Sequence, residues 1–516
     1  MKHYLGVDVG TSSLKAGLWR EDGEFIAHAS SAYETQRSAP TWAEQNPLDW
    51  WKALRESVQN ILYTSGLTGQ NIAGISVDSM GWTFVPVDRA GTPLYAAMTW
   101  QDRRAVTEAT ALRAHPDANR WVQLSANPLD EAYSTAKLRW LQIHHPDIYD
   151  QTDLLLMASA FINRKLTGQS ICDYTQAYAF HCFDVHNLRW DESAAEAMEI
   201  DLAKLPPLVQ SCDVIGEVTT AAATELGLAV GTPVIAGGLD AAVGAFGSGV
   251  TRAGLTADQG GTAFGLSVAL DHVVVEPRLI FSPHVIPGLH LLQGGTVGGG
   301  TFDWFRQQLG YAEQVAADVT GHSPYSIMTD EADQSPPGAN GLVFLPYLSG
   351  ERSPIWDSNA RGVFCGLNYT TKRADIIRAI MEGCVFAVYH NMLVAEESGA
   401  QVREWIGIGG AANSGSWCQL KADISNRPFT VMRRAKNEPG DNTLGLAVMA
   451  GYGTGHYPDL AKTIEQFLPR RTTYNPNPEH HALYQELFPI YRSLYERLIP
   501  TFSELTRFTS KIGQHS

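Results

Sequence analysis

The sequence predicts an α/β protein of more than one domain, and three observations carry that prediction. Its 516 residues exceed a single ordinary domain, which runs to about 150. Strand-like apolar runs around tight turns alternate along the chain with segments of helical period. The opening Asp8-Val9-Gly10-Thr11 is echoed about 250 residues later by Asp258-Gln259-Gly260-Gly261-Thr262, as in a chain built of two related domains. Two short Gly-rich turns can also coincide, and the echo alone leaves both explanations open.

Tyr4–Val9, Leu14–Trp19 and Phe25–Ser30 read as successive strands, joined by Gly10-Thr11-Ser12-Ser13 and Glu21-Asp22-Gly23-Glu24. This is a β-meander rather than the strand–helix start of a dinucleotide-binding unit. Leu48–Leu62 has the period of a helix, and Asn71–Val77 is a strand-like run ending at Asp78. In the second half Gly254–Asp258 and Ala263–Leu270 read as strands and Ser323–Asn340 as a surface loop. Asp375–Val394 reads as a helix apolar all round and therefore buried. Val402–Ile408 is a strand and Ser416–Ile424 a helix, and His480–Phe508 is a helix that Pro489 should kink or split.

Composition narrows the function. With 44% apolar and 18% charged residues the chain is an ordinary globular protein. Its 38 basic and 54 acidic residues give a net charge of −16, and no basic cluster larger than Arg433-Arg434 or Arg470-Arg471 occurs, so nucleic-acid binding is not expected. An aspartate interrupts the N-terminus before a signal-like run can build, and no stretch of about 18 apolar residues suggests a membrane span. The six cysteines are scattered, as reduced thiols of a cytoplasmic protein would be.

Four Gly-rich turns stand out: Gly10–Ser13, Gly260–Thr262, Gly294–Gly300 and Gly407–Gly410. Glycine lets a backbone approach a phosphate closely, and successive N–H groups with Thr or Ser hydroxyls make an anion cradle. Two such hairpins, with Lys15 after the first, could grip one polyphosphate. Gly407-Ile408-Gly409-Gly410-Ala411-Ala412 also satisfies G-x-G-x-x-A, so an NAD(P) site stays open beside an ATP site, with Arg433 and Arg434 placed for a 2′-phosphate. No Gly-Lys dipeptide exists, which excludes a Walker A loop. His181, Cys182 and His186 fit no zinc spacing and read as structural. Asp240, in Gly237-Gly238-Leu239-Asp240-Ala241-Ala242, follows an apolar strand among small residues. Such a carboxylate suits a general base facing a substrate hydroxyl, or a helix N-cap, and the local sequence supports both.

With these residues in place the chain resembles the FGGY carbohydrate kinases of the actin/hexokinase/Hsp70-like superfamily over almost its whole length. Gly362-Val363-Phe364-Cys365-Gly366-Leu367 followed by Asp375-Ile376-Ile377-Arg378-Ala379-Ile380-Met381-Glu382 is similar to one family signature. Tyr133-Ser134-Thr135-Ala136-Lys137-Leu138-Arg139-Trp140-Leu141 resembles another, with departures at Ala132 and Ile143. The resemblance implies an α/β fold of two actin-like (ribonuclease H-like) domains, about 1–249 and 250–516, with a catalytic cleft between them. It implies ATP as phosphoryl donor, Mg²⁺ near Asp8, and Asp240 as the catalytic base. Gly10, Thr11, Ser12, Ser13 and Lys15 would form the first phosphate loop, and Gly261 and Thr262 the second. Gly299, Asp303, Gly410, Ala411 and Ser414 would hold the nucleotide. Asp78, Ser79, Met80, Gly81 and Trp82, with Trp100, Asp102 and Arg104 of a Trp-x-Asp-x-Arg run, would line the sugar pocket.

Tyr347-Leu348-Ser349-Gly350-Glu351-Arg352-Ser353-Pro354-Ile355-Trp356-Asp357 is similar to the family's xylulokinases and also to its gluconokinases. The sugar loop lacks the Gln-Met-His-Gly of xylulokinases and the Arg-Glu of glycerol kinases. The resemblance therefore implies a kinase for a small ketose such as D-xylulose, with gluconate or another ketose or polyol as the alternative. A non-catalytic sugar sensor is a further class, against which the intact Asp240 and phosphate loops argue. The expected partners are the sugar and ATP, with no nucleic acid or membrane and with a homodimer as a conceivable assembly.

Overall fold

The computed structural model describes residues 1–261, 263–432, 441–469 and 471–513. They gather into two compact units. The first comprises Met1–Ala253, Ala269–Leu291 and a later stretch closing at Leu468; the second comprises Gly254–Val268, a stretch opening at Leu292, and the chain from Pro469 on. The expected division at 249/250 falls next to the point where the chain first leaves the first unit, and the chain afterwards re-enters that unit twice.

In the first unit β1 (His3–Val9), β2 (Ser13–Arg20) and β3 (Phe25–Ala32) form the expected antiparallel meander. Every residue of β1 is buried, as the central strand of a covered sheet requires. Helix α1 (Pro47–Ser65) begins where the Asn46 side chain accepts from the Leu48 N–H, with Pro47 in its first turn, and ends at Gly66 in the left-handed region. β4 (Ile72–Ser79) then pairs parallel to β1. Helix α2 (Ser134–His144), β5 (Val214–Glu217) and β6 (Pro233–Leu239) follow, and α3 (Asp240–Gly247) leaves directly from β6. The strand order is β5-β6-β4-β1-β2-β3.

Register does the work here. Asp8 on β1 stands opposite Lys15 on β2 and opposite Asp78 on β4, while Gly238 on β6 stands opposite Asp78 from the other side. The C-terminal ends of three neighbouring parallel strands therefore come level, each carrying or preceding an aspartate. The β6–β4 register shifts between Ile235 and Gly238, and Gly237 lies in that irregularity with φ 76°. A Cβ on Gly237 would fall 1.8 Å from the Val77 carbonyl oxygen, so only glycine fits.

The second unit opens with β7 (Leu255–Gly260) and β8 (Ala263–Leu270), followed by β9 (His290–Val297), α4 (Gly299–Leu309), α5 (Pro324–Ala332) and α6 (Arg373–Glu397). β10 (Glu404–Ile408), α7 (Gly415–Ser425) and β11 (Phe429–Met432) come next. The chain returns to the first unit for α8 (Asp441–Gly453), then completes the second with β12 (Arg471–Tyr474) and α9 (Pro478–Gly513). β9-β8-β7-β10-β11-β12 are neighbours in that order. β7 is antiparallel to β8 and parallel to β10, β10 is parallel to β11, and β11 is antiparallel to β12. These six repeat the strand order of the first sheet, with an additional edge strand at Ile280–Pro283, and Asp258 stands opposite Gly407 as Asp8 is opposite Asp78.

Two expectations need correction. Ser323–Asn340 is not a loop: Pro324 sits in the first turn of α5, where its missing N–H costs nothing, and a short 3₁₀ turn follows at Ala339–Gly341. Nor does Pro489 split the last helix, since α9 runs from Pro478 to Gly513 through both Pro489 and Pro500. Around the lost hydrogen bond Tyr484, Phe488 and Tyr491 all pack on Phe386 of α6, with ring centroids 5.9, 5.6 and 5.3 Å away. Helix α6 is itself long and apolar enough to cross a membrane by composition, yet 83% of its most apolar window is buried inside the protein. It is a core helix, as its all-round pattern indicated.

The Gly237 contact yields a direct test. Gly237→Ala forces β6 away from β4, so stability should fall by more than about 3 kcal/mol, in the range of severe backbone and packing defects. Urea unfolding would reveal it, and a variant within about 1 kcal/mol of the native protein would contradict the register described.

Candidate active site

The level strand ends place three carboxylates together in the first unit. Asp78 is fully buried, with Oδ2 accepting from Asn442 Nδ2 at 2.7 Å and Oδ1 without a hydrogen-bond partner among the described residues. The same Asn442 amide donates to the Asp240 backbone carbonyl at 3.0 Å, tying the second carboxylate segment to the first. Asp8 is 7% exposed and accepts from Lys15 Nζ at 3.2 Å. Asp240 is the first residue of α3 rather than its N-cap, which is Leu239, and its Oδ1 accepts from the Ala241 N–H at 2.7 Å.

Crowding of like charges sets the protonation here. Burial, then the charge of Asp8, push the Asp240 carboxyl up to about 7, and the Ala241 N–H and Lys15 offset this only in part. Asp78 is driven well above the carboxylate range by burial and then by Asp8 and Asp240. Lys15 is held above its ordinary value, first by Asp8. A half-buried aspartate that takes up a proton near neutral pH has the character of a general base.

The hairpin tip that precedes Lys15 is fixed from several sides. Gly10 N–H donates to the Ser13 carbonyl at 3.2 Å, and Tyr33 N–H donates to the Ser12 carbonyl at 3.3 Å. Gln45 Nε2 donates to the Thr11 carbonyl at 2.7 Å, and Trp100 Nε1 donates to Thr11 Oγ1 at 2.9 Å. Trp100 therefore braces the Gly10–Ser13 turn directly, a link that the sequence did not reveal.

The predicted sugar residues divide. Ser79, Met80 and Trp82 are buried at the end of β4. Ser79 Oγ accepts from the Ser159 N–H and from Gln176 Nε2, at 2.9 and 3.0 Å. Gly81 has no room for a side chain, since a Cβ would lie 2.8 Å from Leu239 and 2.9 Å from the Tyr178 hydroxyl. Trp82 has φ 55°, packs its ring 4.5 Å from that of Tyr133, and buries its indole N–H without a partner among the described residues. Asp102 and Arg104 pair with each other at 2.6 Å, Arg104 also meets Glu44 at 2.7 Å, and its guanidinium lies over Trp42. Their charges are satisfied inside the protein.

In the second unit three glycine turns converge. The Gly299 N–H donates to the Gly261 carbonyl at 3.1 Å, and a Cβ on Gly409 would fall 2.9 Å from the Gly260 carbonyl oxygen. Gly410 and Ala411 follow in a short 3₁₀ turn, and Ser414 is the N-cap of α7. Gly299 opens α4, so the cluster offers backbone N–H groups from two helix starts. Asp303 on α4 accepts from Arg306 at 2.8 Å and from Tyr325 at 2.5 Å. Buried Glu351 accepts from Thr296, and from the Val297 N–H at 3.1 Å, while Ser353 Oγ accepts from the Gly295 N–H at 2.7 Å. Thr262, Arg433 and Arg434 lie outside the described residues.

Sequence reasoning passed over Asn442, Gln176, Tyr178 and Gln45, which act through contacts with residues far along the chain. Gln176 was findable only in space: its amide donates to the Ser79 carbonyl and hydroxyl, each at 3.0 Å, and so holds the end of β4. His181 is structural as expected, with its two ring nitrogens against Thr135 and the Pro128 carbonyl.

The N-terminal domain model of the FGGY family of carbohydrate kinases matches residues 3–247, and the C-terminal domain model of that family matches residues 273–454. The xylulose kinase of Staphylococcus epidermidis is 29% identical over 510 residues, covering 98% of this chain and 99% of that protein. Among solved structures, xylulose kinase from Lactobacillus acidophilus superposes with a TM-score of 0.90 at 27% identity over 98% of this chain and 100% of that one. Gluconate kinase from the same organism reaches 0.89 at 27% identity, over 98% and 99% of the two chains.

The raised Asp240 value is also a statement about stability. A carboxyl whose pKa climbs from 3.8 to about 7 on folding stabilises the fold fully in acid, and that contribution is lost as pH rises through about 7. Asp240→Asn removes the penalty, at most about 4 kcal/mol. The variant's Tm advantage over the native protein should therefore be near zero at pH 4 and clear at pH 8. An advantage independent of pH would place Asp240 in an unperturbed setting.

Proposed function

The chain belongs to the FGGY family of carbohydrate kinases and is a sugar kinase that uses ATP; from that premise we propose that it phosphorylates the primary hydroxyl of a small ketose, with D-xylulose as the first candidate. The observation that carries the reading is Asp240, a perturbed carboxylate at a strand end beside Asp8 and Lys15. The likeness of the whole chain to xylulose kinases supports the ketose.

In this mechanism Asp240 accepts the proton of the sugar hydroxyl as its oxygen attacks the γ-phosphorus, and the bond to the β,γ-bridging oxygen breaks to release ADP. Lys15, about half exposed, places its ammonium beside the first phosphate loop, where Gly10, Thr11, Ser12 and Ser13 present backbone and hydroxyl groups. In the second unit the Gly261, Gly299 and Gly410 turns, with Ala411, Ser414 and Asp303, would take the nucleotide through backbone N–H groups. The donor set fits Mg²⁺: Asp8 offers a hard carboxylate oxygen, and phosphate oxygens and water would complete the shell of an ion held there. When bound, Mg²⁺ neutralises charge on the transferring phosphoryl group. Asp78 is buried beside the base and is held by Asn442, whose amide also ties down the Asp240 backbone. Gly81, Trp82 and Trp100 would border the sugar, with Ser79, Met80, Asp102 and Arg104 as the packed layer beneath them.

A second reading is a gluconate kinase, favoured by the near-equal likeness to the Lactobacillus acidophilus gluconate kinase. The sequence resemblance that includes gluconokinases also bears on it. An ADP-release assay across pentuloses, hexuloses, polyols and gluconate separates the two. D-xylulose should give the highest kcat/KM and glycerol a poor one; gluconate tenfold above D-xylulose would transfer the assignment within the family.

Asp240→Asn should lower kcat by about 10²–10⁴-fold, the usual contribution of a general base, with ATP affinity unchanged. A helix-capping role predicts a silent variant, because Asn caps as well as Asp. Retention of more than about a tenth of native kcat would mean that another group takes the proton.

A further inference from the structure

Among the buried charged side chains that the mechanism does not use, Lys137 lies nearest the residues read as bordering the sugar. Lys137, in the first turns of α2, has no exposed surface. Its Nζ donates to the backbone carbonyl of Trp82 at 3.0 Å and to that of Thr99 at 2.6 Å. Those carbonyls belong to two segments far apart in sequence, one ending in the Gly81–Trp82 turn and the other leading into Trp100. We propose that Lys137 is a positioning residue for the sugar side of the site, its amine clamping the Trp82 and Thr99–Trp100 segments together through one carbonyl of each. The proposal rests on the reading that Gly81, Trp82 and Trp100 border the sugar.

The placement is expensive for the fold, which is why it is informative. Burying an amine costs free energy unless it is compensated, and a cation near a helix N-terminus opposes the helix dipole. Burial pushes the Lys137 amine down to about 7, although Asp102 and Asp130 pull the other way. A methionine would pack the same space at less cost. The amine supplies donors for two carbonyls in irregular backbone, where unpartnered groups are costly. One of them is the carbonyl of Trp82, whose φ of 55° is unusual for a bulky residue.

Helix geometry doubles the grip. Tyr133 is the N-cap of α2, and Lys137 follows in the first turn of the helix. Tyr133 packs its ring against the Trp82 indole at 4.5 Å while Lys137 holds the Trp82 carbonyl, so ring and backbone are fixed from one helix turn. Thr99 is further held by its N–H to the Ala43 carbonyl at 2.9 Å, and Phe84 pairs with Met98 on antiparallel strands just beyond the two carbonyls, so Lys137 adds a side-chain link where that backbone pairing ends. Trp100 reaches the Gly10–Ser13 loop through Thr11 Oγ1, but Gln45 holds the same residue by its carbonyl, so loss of the clamp should weaken sugar binding more than ATP binding.

Lys137→Met is the test. The KM for the best sugar should rise at least about tenfold, equivalent to about 1.4 kcal/mol, while the KM for ATP stays within about twofold. Hydrogen exchange should quicken at residues 81–83 and 99–101 but not in α6. A folded variant with unchanged sugar KM overturns the proposal, and so does a parallel loss in both KM values. Trp82→Ala and Trp100→Phe serve as the reference. If these shift the sugar KM and Lys137→Met does not, the clamp is wrong; if none of the three does, the sugar reading itself is wrong. Should Lys137→Met fail to fold, Lys137→Gln is judged by the same outcomes, and failure of both to fold would make Lys137 a folding residue and overturn the proposal.

Discussion

Everything in the first unit depends on the levelling of three strand ends. A one-residue slip of β4 against β1 would turn Asp78 to the other face of the sheet and leave Asp8 without its neighbour. On its other side β4 is held against β6 at the Gly237 irregularity, where the β6 backbone comes so close to Val77 that no side chain is tolerated. Three acids then share one small space with a single lysine. Their mutual repulsion and burial cost stability, as a strained site held by its surroundings does. Asn442, donating both to Asp78 and to the backbone of Asp240, keeps the acids from separating.

Much of this fold could be read from local pattern. The meander, the second hairpin and the buried helix α6 follow apolar period and Gly turns, which are short-range signals. Ala263–Leu270 coincides with a strand of the structure. The failures were equally physical. Pro324 reads as a loop residue although proline also opens helices, and Pro489 reads as a kink or a split where packing on Phe386 keeps one continuous helix. In the candidate site, residues in the Gly-rich hairpins and Asp240 were legible because their chemistry is local. Asn442 and Gln176 were not, because an amide in a helix acquires meaning only from what the fold brings to it.

The sugar was hard to read for a reason that the structure makes plain. The segment most similar to xylulokinases, Tyr347–Asp357, contains Glu351 and Ser353, and these brace the glycine turn between β9 and α4. It records how the second unit builds a backbone turn, so kinases for different sugars can share it. In the proposed reading the Asp78–Trp82 segment borders the sugar, and there Ser79, Met80 and Trp82 are packed inward. Substitutions in such a loop change its shape before they change its contacts.

The repeated topology carries a consequence for charge. Asp258 occupies in the second sheet the place that Asp8 occupies in the first, but Lys421 pairs with it in the interior beneath Phe264, Trp405 and Phe429. An unpaired acid at that strand end would repel a polyphosphate approaching the Gly260 turn, whereas a neutralised one leaves the backbone N–H groups to set the local potential. The two matching strands thus differ electrostatically: Asp8 pairs with the half-exposed Lys15, and Asp258 with the buried Lys421. Asp258 serves the second sheet as an internal fastener between a strand and α7.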